Sequence, residues 1–522
     1  MVLDADQLSD TLIVSGSFGL EVEAYDTSRC GRVIGAYSYL VTVDGQRFWD
    51  LRFDRFPSSK SYLVDGIYDV IEGKRFTRLY CEPDLDFEGC MYGPSVLKPG
   101  GFDFLPGFHT MVIRVTDAWG NADSVVVPVV SAVIPRFDRF RLEVDDGGVV
   151  IDVKPRGADS LGIAWREVGT AAETDWRSVV GGLVLGESGR IHLEVTSPIE
   201  ARCRLFGRGG IERSCVLSTC PIDERDTCSI TLHLRQGWLE VIATCTALPL
   251  EVPKVTFSRC FGETTLDCEP LGSRRFRATL IPCPADTLIV ARATFRHVNT
   301  SLTCSDTLRL LPIVPGKVAW FRHGGLTLAI AQSVRSEQVR FVSVSLDSSQ
   351  TYTGFEGKGV MIDFEPDKIL FPNRIRISLR LKQSQGDHLG VFALRGSHPA
   401  FLARLDSRDF GQFDVSKLDD LVILEDREPP SITWDGRIAI RGSDGKGVFR
   451  ARVSDQGSGI EVSSLKASVD GECAIVAYDP DTGVMTVRTT KPLPNGGHRI
   501  RLEARDRIGN QTAFERIIDT GG

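Results

Sequence analysis

The chain reads as all-β, about five tandem β-sandwich modules in a row. Three observations predict this. A strand followed by a turn is written twice, as Leu105-Pro-Gly-Phe-His109-Thr-Met-Val-Ile-Arg-Val-Thr-Asp117-Ala-Trp119-Gly120-Asn121 and as Leu493-Pro-Asn-Gly-Gly-His498-Arg-Ile-Arg-Leu-Glu-Ala-Arg-Asp506-Arg-Ile-Gly509-Asn510. The second copy alternates cleanly, with Ile500, Leu502 and Ala504 on one side and Arg499, Arg501, Glu503 and Arg505 on the other, the period of a half-buried strand. Finally, 522 residues exceed what one core can organise, and no apolar stripe of helical period runs beyond two or three turns. A duplicated strand and turn implies duplicated modules. The Asp-x-x-Gly-Asn that closes each copy reads as a turn, since Gly and Asn accept positive φ and an Asp carboxylate can take backbone N–H groups.

In chain order, the first module is expected over 1–133. Thr11-Leu-Ile-Val, Leu20-Glu-Val-Glu-Ala-Tyr25 and Tyr37-Ser-Tyr-Leu-Val-Thr-Val43 read as strands, and Asp44-Gly45 as a hairpin turn. Residues 52–108 form a long aromatic-rich insertion, with a short helix expected near Asp65 to Arg75. Its aromatics and those just before it, chiefly Trp49, Phe53, Phe56, Tyr62, Tyr68 and Tyr80, are the candidate partner surface; core packing is the competing use. A second, Ig-like module is expected over 134–220, with strands at Phe140-Arg-Leu-Glu-Val144 and Val149-Val-Ile-Asp-Val153 around the turn Asp145-Asp-Gly-Gly148. A cysteine-rich β module follows over 221–313, then a β-sandwich over 314–426. Glu425-Asp-Arg-Glu-Pro429-Pro430 is a linker, because two adjacent prolines remove two ladder donors. The last Ig-like module occupies 427–522.

Composition excludes several classes. A hydrophobic content of 42% with 25% charged residues is that of a folded domain and not of a disordered or membrane-embedded chain. A net charge of −8 argues against general affinity for nucleic-acid phosphate. No run of about eighteen apolar residues is present to serve as a transmembrane helix. The opening Met1-Val-Leu-Asp-Ala-Asp-Gln is not a signal peptide. The thirteen cysteines point the other way: nine fall between Cys203 and Cys304, a density expected where disulfides form. Disulfides are therefore the expectation, with buried thiols and a metal site as competing readings, and Cys473 as the candidate unpaired thiol.

Catalytic templates fail one by one. Neither His-x-His nor His-Glu-x-x-His occurs among the eight histidines, and no Gly-x-Ser-x-Gly elbow is present. Arg441-Gly-Ser-Asp-Gly-Lys-Gly447 has the composition of a phosphate loop without its Gly-Lys-Ser/Thr ending. Acidic pairs such as Asp145/Asp146, Asp419/Asp420 and Asp479/Asp481 are explained by turn chemistry. At Asp117/Asn121 and Asp506/Asn510 too few oxygens are local for a calcium shell. No catalytic residue, metal ligand or cofactor is expected.

Ser15-Gly-Ser-Phe-Gly-Leu-Glu-Val-Glu-Ala-Tyr-Asp26, Gly35-Ala-Tyr-Ser38, Val43-Asp-Gly45, Asp54-Arg-Phe56 and the His109 to Asn121 element resemble the region after the peptidase domain in large secreted, Bacteroidetes-type, lysostaphin-like zinc endopeptidases. Val453-Ser-Asp-Gln-Gly-Ser-Gly-Ile460, Val469-Asp-Gly471, Tyr478-Asp479 and the His498 to Asn510 element are similar to the terminal Ig-like module of the same proteins. The resemblance implies Ig-like or fibronectin type III-like sandwiches and an extracytoplasmic location, periplasmic, outer-surface or secreted. In that family the zinc motifs His-x-x-x-Asp and His-x-His lie upstream of the Ser-Gly-Ser-Phe-Gly segment, so no catalytic residue carries over. The expectation is a non-catalytic scaffold or binding region of a peptidoglycan metallopeptidase-like protein, partnered by an upstream peptidase domain or a cell-wall component. The rival readings are a carbohydrate-active enzyme with a cleft between modules and a calcium-stiffened surface adhesin.

Overall fold

The computed structural model describes residues 11–14, 18–27, 33–54, 67–71, 74–80, 91–92, 105–169, 175–181, 189–207, 211–235, 237–332, 339–348, 351–353, 355–366, 369–382, 388–395, 398–406, 409–441 and 445–520. The described elements are strands, with one 3-10 turn at Val462–Ser464, and they form eleven sheets, all but one of the described pairings antiparallel, the predicted all-β class. The chain divides into two compact units, residues 1–315 with 333–343 and 370–373, and residues 316–332, 344–369 and 374–522.

The first unit opens with a six-stranded sheet in the order Leu12–Val14, Ala122–Ser131, Gly107–Thr116, Ser38–Val43, Gln46–Arg52, Met91–Tyr92. A three-stranded sheet of Glu21–Val22, Lys74–Arg78 and Tyr68–Ile71 shares its core, built on Tyr39, Val41, Trp49, Leu51, Leu79, Met111 and Ile113. The hairpin at Asp44-Gly45 forms as predicted, with φ of 51° and 78°, the two positive values of a type I′ turn. The helix expected near Asp65 to Arg75 is corrected. Residues 65, 66, 72 and 73 lie outside the described ones; Ile67 is helical, and Tyr68–Ile71 and Lys74–Arg78 form an antiparallel pair, since Tyr, Val and Ile favour a pleated surface.

Next come the sheets Arg136–Asp145, Gly148–Arg156, Gly189–Leu193 and Arg177–Gly181, Ser160–Glu167, Ile199–Phe206, Glu212–Ser218. The cysteine-rich stretch adds Cys228–Leu234, Leu239–Cys245, Arg275–Leu280, Glu269–Pro270 and Gly262–Asp267, Lys254–Arg259, Leu288–His297, Thr300–Arg309. The two modules expected to meet at 220 share one continuous apolar cluster, from Phe140 through Leu205 and Phe257 to Phe295. Backbone bonds cross between them, Leu142 N to Leu250 O (2.7 Å) and Ser218 N to Pro249 O (3.1 Å).

In the second unit, one sandwich pairs Val318–His323, Leu326–Ala331, Arg376 to Leu381 and Phe410–Leu418 with Glu356–Glu365, Leu421–Glu425, Leu389–Arg395 and His398–Arg404. The other pairs Ser431–Arg441, Lys446–Ser454, Val484–Pro492 and Ile475–Asp479 with Glu472–Cys473, Lys466–Val469, Gly497–Arg505 and Gln511–Asp519. Strand Gly497–Arg505 keeps its predicted alternation, burying His498, Ile500, Leu502 and Ala504, so Ile500 and Leu502 meet Phe449 and Met485 in the core.

Candidate functional site

The aromatic surface expected around Trp49 is mostly interior. Trp49 is 0% exposed, so it has no face to offer a partner, and Phe53 and Tyr68, stacked at 6.3 Å between centroids, pack against the same core. Tyr80 is half-buried, its hydroxyl donating to Glu21 Oε1 (2.9 Å). Phe56 and Tyr62 lie outside the described residues. Aromatic density told nothing of direction because the alternation fails here. A bulge after Val41 shifts the register, and Trp49, Asp50 and Leu51 are buried in succession.

The repeated histidines form the same clasp twice. His109 Nδ1 lies 2.7 Å from Asp44 Oδ2 and Nε2 lies 2.6 Å from Leu105 O, while Thr110 N donates to Asp44 Oδ1 at 2.8 Å. His498 does likewise: Nδ1 to Asp470 Oδ2 at 2.6 Å, Nε2 to Pro494 O at 2.7 Å, with Arg499 N donating to Asp470 Oδ1 at 2.8 Å. Asp470-Gly471 repeats the I′ geometry of Asp44-Gly45, with φ of 51° and 85°. Both ring nitrogens face acceptors, and a neutral imidazole has one N–H, so both contacts are satisfied only by the protonated ring. Accordingly Asp44, then the Leu105 carbonyl, raises the pKa of His109, and Asp470, then the Pro494 carbonyl, raises that of His498. The clasps tie a hairpin turn to the start of a strand about 65 and 28 residues away along the chain; they are folding devices with their nitrogens committed.

The closing turns share the bonds from the Asn backbone N and Nδ2 to the Asp carboxylate and differ in the third bond. Asp117 Oδ1 accepts from Trp119 N and Asn121 N, and Oδ2 from Asn121 Nδ2; Asp506 accepts from Gly509 N, Asn510 N and Asn510 Nδ2. Their carboxylates serve their own turns. The third residue differs as well. Ile508 is 0% exposed and packs with Phe392, Val422 and Leu424 of the preceding sandwich. Asn510 Nδ2 donates to Asp426 O of the linker at 2.8 Å, and Arg507 lies over the Phe401 ring. The socket is shaped for this plug: a Cβ on Gly390 would sit 2.9 Å from Ile508 Cδ1. In the first module the same position is Trp119, and it is 78% exposed.

Two further carboxylates, which sequence reasoning did not single out, complete the junction. Asp426, 0% exposed, accepts from Ser458 N at 2.8 Å. Asp455 Oδ2 accepts from Gly459 N (2.7 Å) and Gly457 N (3.1 Å), leaving a buried Oδ1 with no hydrogen-bond partner. Burial, and then the charges of Asp426 and Asp506, push Asp455 up to about 6. The signal was present in the linker acid before Pro429-Pro430 and in Asp455-Gln-Gly-Ser-Gly459; that they converge could be learned only from the fold.

The disulfide expectation is corrected for the described cysteines, all ten of which are free thiols. Cys203 and Cys215 face each other across adjacent strands and are both 0% exposed, so they pack as small hydrophobes. Cys473 is exposed. A group of Cys260, Cys283 and Asp286 brings its ligand atoms within 4.8 Å of one another. Of the acidic pairs, Asp145 and Asp479 cap their own turns through Gly147 N and Asp481 N, and Asp420 accepts from Phe364 N. An open cleft of about 720 Å³ is lined by Arg322, Arg380, Lys382 and Asp409, three cations to one acid. Among the described residues no helix is long and apolar enough to cross a membrane.

No family model and no curated protein matches the chain. Among solved structures it is similar to the human desmocollin-1 ectodomain (9% identity, 98% of this chain and 97% of that one, TM-score 0.14). It is likewise similar to part of a bacterial ice-binding adhesin (10%, 53% and 86%, TM-score 0.14) and to a Bacteroides ovatus mixed-linkage glucan utilization protein, SGBP-B (9%, 80% and 95%, TM-score 0.16). Scores of this size mark no common arrangement of the whole, and shared architecture would not carry function. The functional reading rests on the residues above.

Proposed function

We propose that the chain is a non-catalytic, extracytoplasmic scaffold or binding region, the accessory part of a cell-wall metallopeptidase-like protein, whose first module docks a preceding domain through Trp119. The observation that carries this is the contrast at one turn position: Ile508 is plugged into the sandwich that precedes its module, and Trp119 stands 78% exposed. In the last module the linker arrives at the end that carries this turn, where Asn510 holds Asp426. An indole is the side chain best suited to anchor such an interface. The cationic lining of the Arg322, Arg380 and Lys382 cleft suits the carboxylates of a wall peptide.

The test is to incubate the purified chain with peptidoglycan sacculi and, separately, with a lysostaphin-type peptidase domain of the resembled family. The expected result is retention by one or both without release of soluble wall fragments. Wall hydrolysis by the chain alone, or retention by neither, would overturn the proposal.

A further inference from the structure

We infer that Cys260, Cys283 and Asp286 form a divalent-metal site of zinc type at one end of the cysteine-rich module, independent of the docking role proposed above. Cys260 sits in the turn between strands Lys254–Arg259 and Gly262–Asp267. Cys283 and Asp286 share a short turn in which Asp286 N donates to Cys283 O at 2.9 Å and Cys283 N donates to Asp286 Oδ2 at 2.8 Å. Pro282 and Pro284 flank Cys283 and restrict its backbone. Three potential ligand atoms are thereby held within 4.8 Å of one another by two rigid turns.

The spacing suits a metal better than a bond between the sulfurs. The two Sγ atoms are 3.8 Å apart. Zn–S bonds of about 2.3 Å at a tetrahedral angle put two sulfurs about 3.8 Å apart, whereas a disulfide needs about 2.05 Å. Cys260 Sγ lies 3.0 Å from Asp286 Oδ1, and a carboxylate oxygen of Asp286 is within 4.8 Å of both sulfurs. The other oxygen is fixed from behind: Arg259 Nη2 and Nε donate to Oδ2 at 2.6 and 3.1 Å, the outer-shell support that ligating carboxylates receive. Charge balances as well. Two thiolates and a carboxylate carry three negative charges, and a divalent ion with Arg259 supplies three positive ones. Binding releases the two thiol protons to solvent. Cys260 is exposed, which leaves a fourth position for water.

The experiment uses the full reduced chain, stripped with a chelator and titrated with Co²⁺ as the spectroscopic probe and Zn²⁺ as competitor. The expected result is a thiolate-to-cobalt charge-transfer band saturating at one equivalent, abolished by Zn²⁺ and lost in Cys260→Ser, a change at an exposed turn that leaves the fold intact by circular dichroism. Asp286→Asn should weaken Zn²⁺ by at least the roughly 10–100-fold that losing even an outer-shell partner costs. Three results would overturn the inference: no band, a band unchanged in Cys260→Ser, or a Cys260–Cys283 disulfide found by peptide mapping in chain kept with saturating Zn²⁺.

Discussion

Ile508 and Trp119 hold the same place in two copies of one turn, two residues after an aspartate that caps it and two before an asparagine that closes it, yet one is 0% and the other 78% exposed. The turn is a constant; what it is turned toward is the variable. In the last module it joins two sandwiches.

Ile508→Ala removes the plug from the cluster of Phe392, Val422 and Leu424 and should cost about 2–5 kcal/mol, the range for large-to-small changes in a core. Because the lost contacts lie between sandwiches, calorimetry should resolve the unfolding of the last module from that of its neighbour. Trp119→Ala, made at an exposed site, should change stability by no more than about 0.5 kcal/mol. Equal effects would contradict the contrast.

The clasps give a pH signature. The pKa values of His109 and His498 are raised, so their contribution to stability is complete below the unfolded value of about 6.5 and is lost as pH rises through the folded value. Asp44 and Asp470 are lowered, His109 and His498 being the largest causes, so their contribution is present above about 3.9 and lost as pH falls through the folded value. Both clasps are thus strongest between about pH 4 and 6.5. Imidazole titration by NMR should find both rings above 6.5, and His498→Gln should flatten the alkaline limb of a melting-temperature profile.

Asp455 adds a second titration of opposite chemistry and the same direction. Its carboxyl is pushed up to about 6, so the folded state tolerates the ionised form poorly and gains stability as pH falls through that value toward the ordinary one. Asp455→Asn should be more stable than the parent at alkaline pH and should lose that limb while keeping the one due to the histidines.

Gly457 is required by space. A Cβ there would clash with the Asp426 carboxylate, and Gly457→Ala should cost about 1–3 kcal/mol, the usual range for overpacking. Shortening the clashing partner in the double variant Asp426→Ser/Gly457→Ala should recover part of the loss in urea unfolding.

Thiol reactivity checks the cysteine assignment. Desolvation, then Asp286 and Cys283, push the Cys260 thiol up to about 12, and the thiolate is the reactive form. In metal-free chain Cys473 should therefore react with an aromatic disulfide reagent before Cys260, although both are exposed, and Cys203 and Cys215 should react only on unfolding.

Much of the fold was legible because it is written in local terms. Period-two alternation gave Gly497–Arg505 and its buried face, and Asp44-Gly45 gave its hairpin. What was not legible depends on pairings far along the chain. Nothing near His109 names Asp44, 65 residues earlier, as its partner. Asp426, Asp455 and Asn510 meet only once two sandwiches are docked. The aromatic stretch misled for the opposite reason: strand formers that suit a partner surface suit a core equally, and a bulge erased the alternation that would have told Trp49 from an exposed residue.

The most direct test of the docking account is the affinity of the chain and of its Trp119→Ala variant for a lysostaphin-type peptidase domain of the resembled family, measured by isothermal titration calorimetry. The account predicts binding by the parent and a loss of at least about 2 kcal/mol, or roughly 30-fold, on removing the indole. Equal affinities for parent and variant would contradict it.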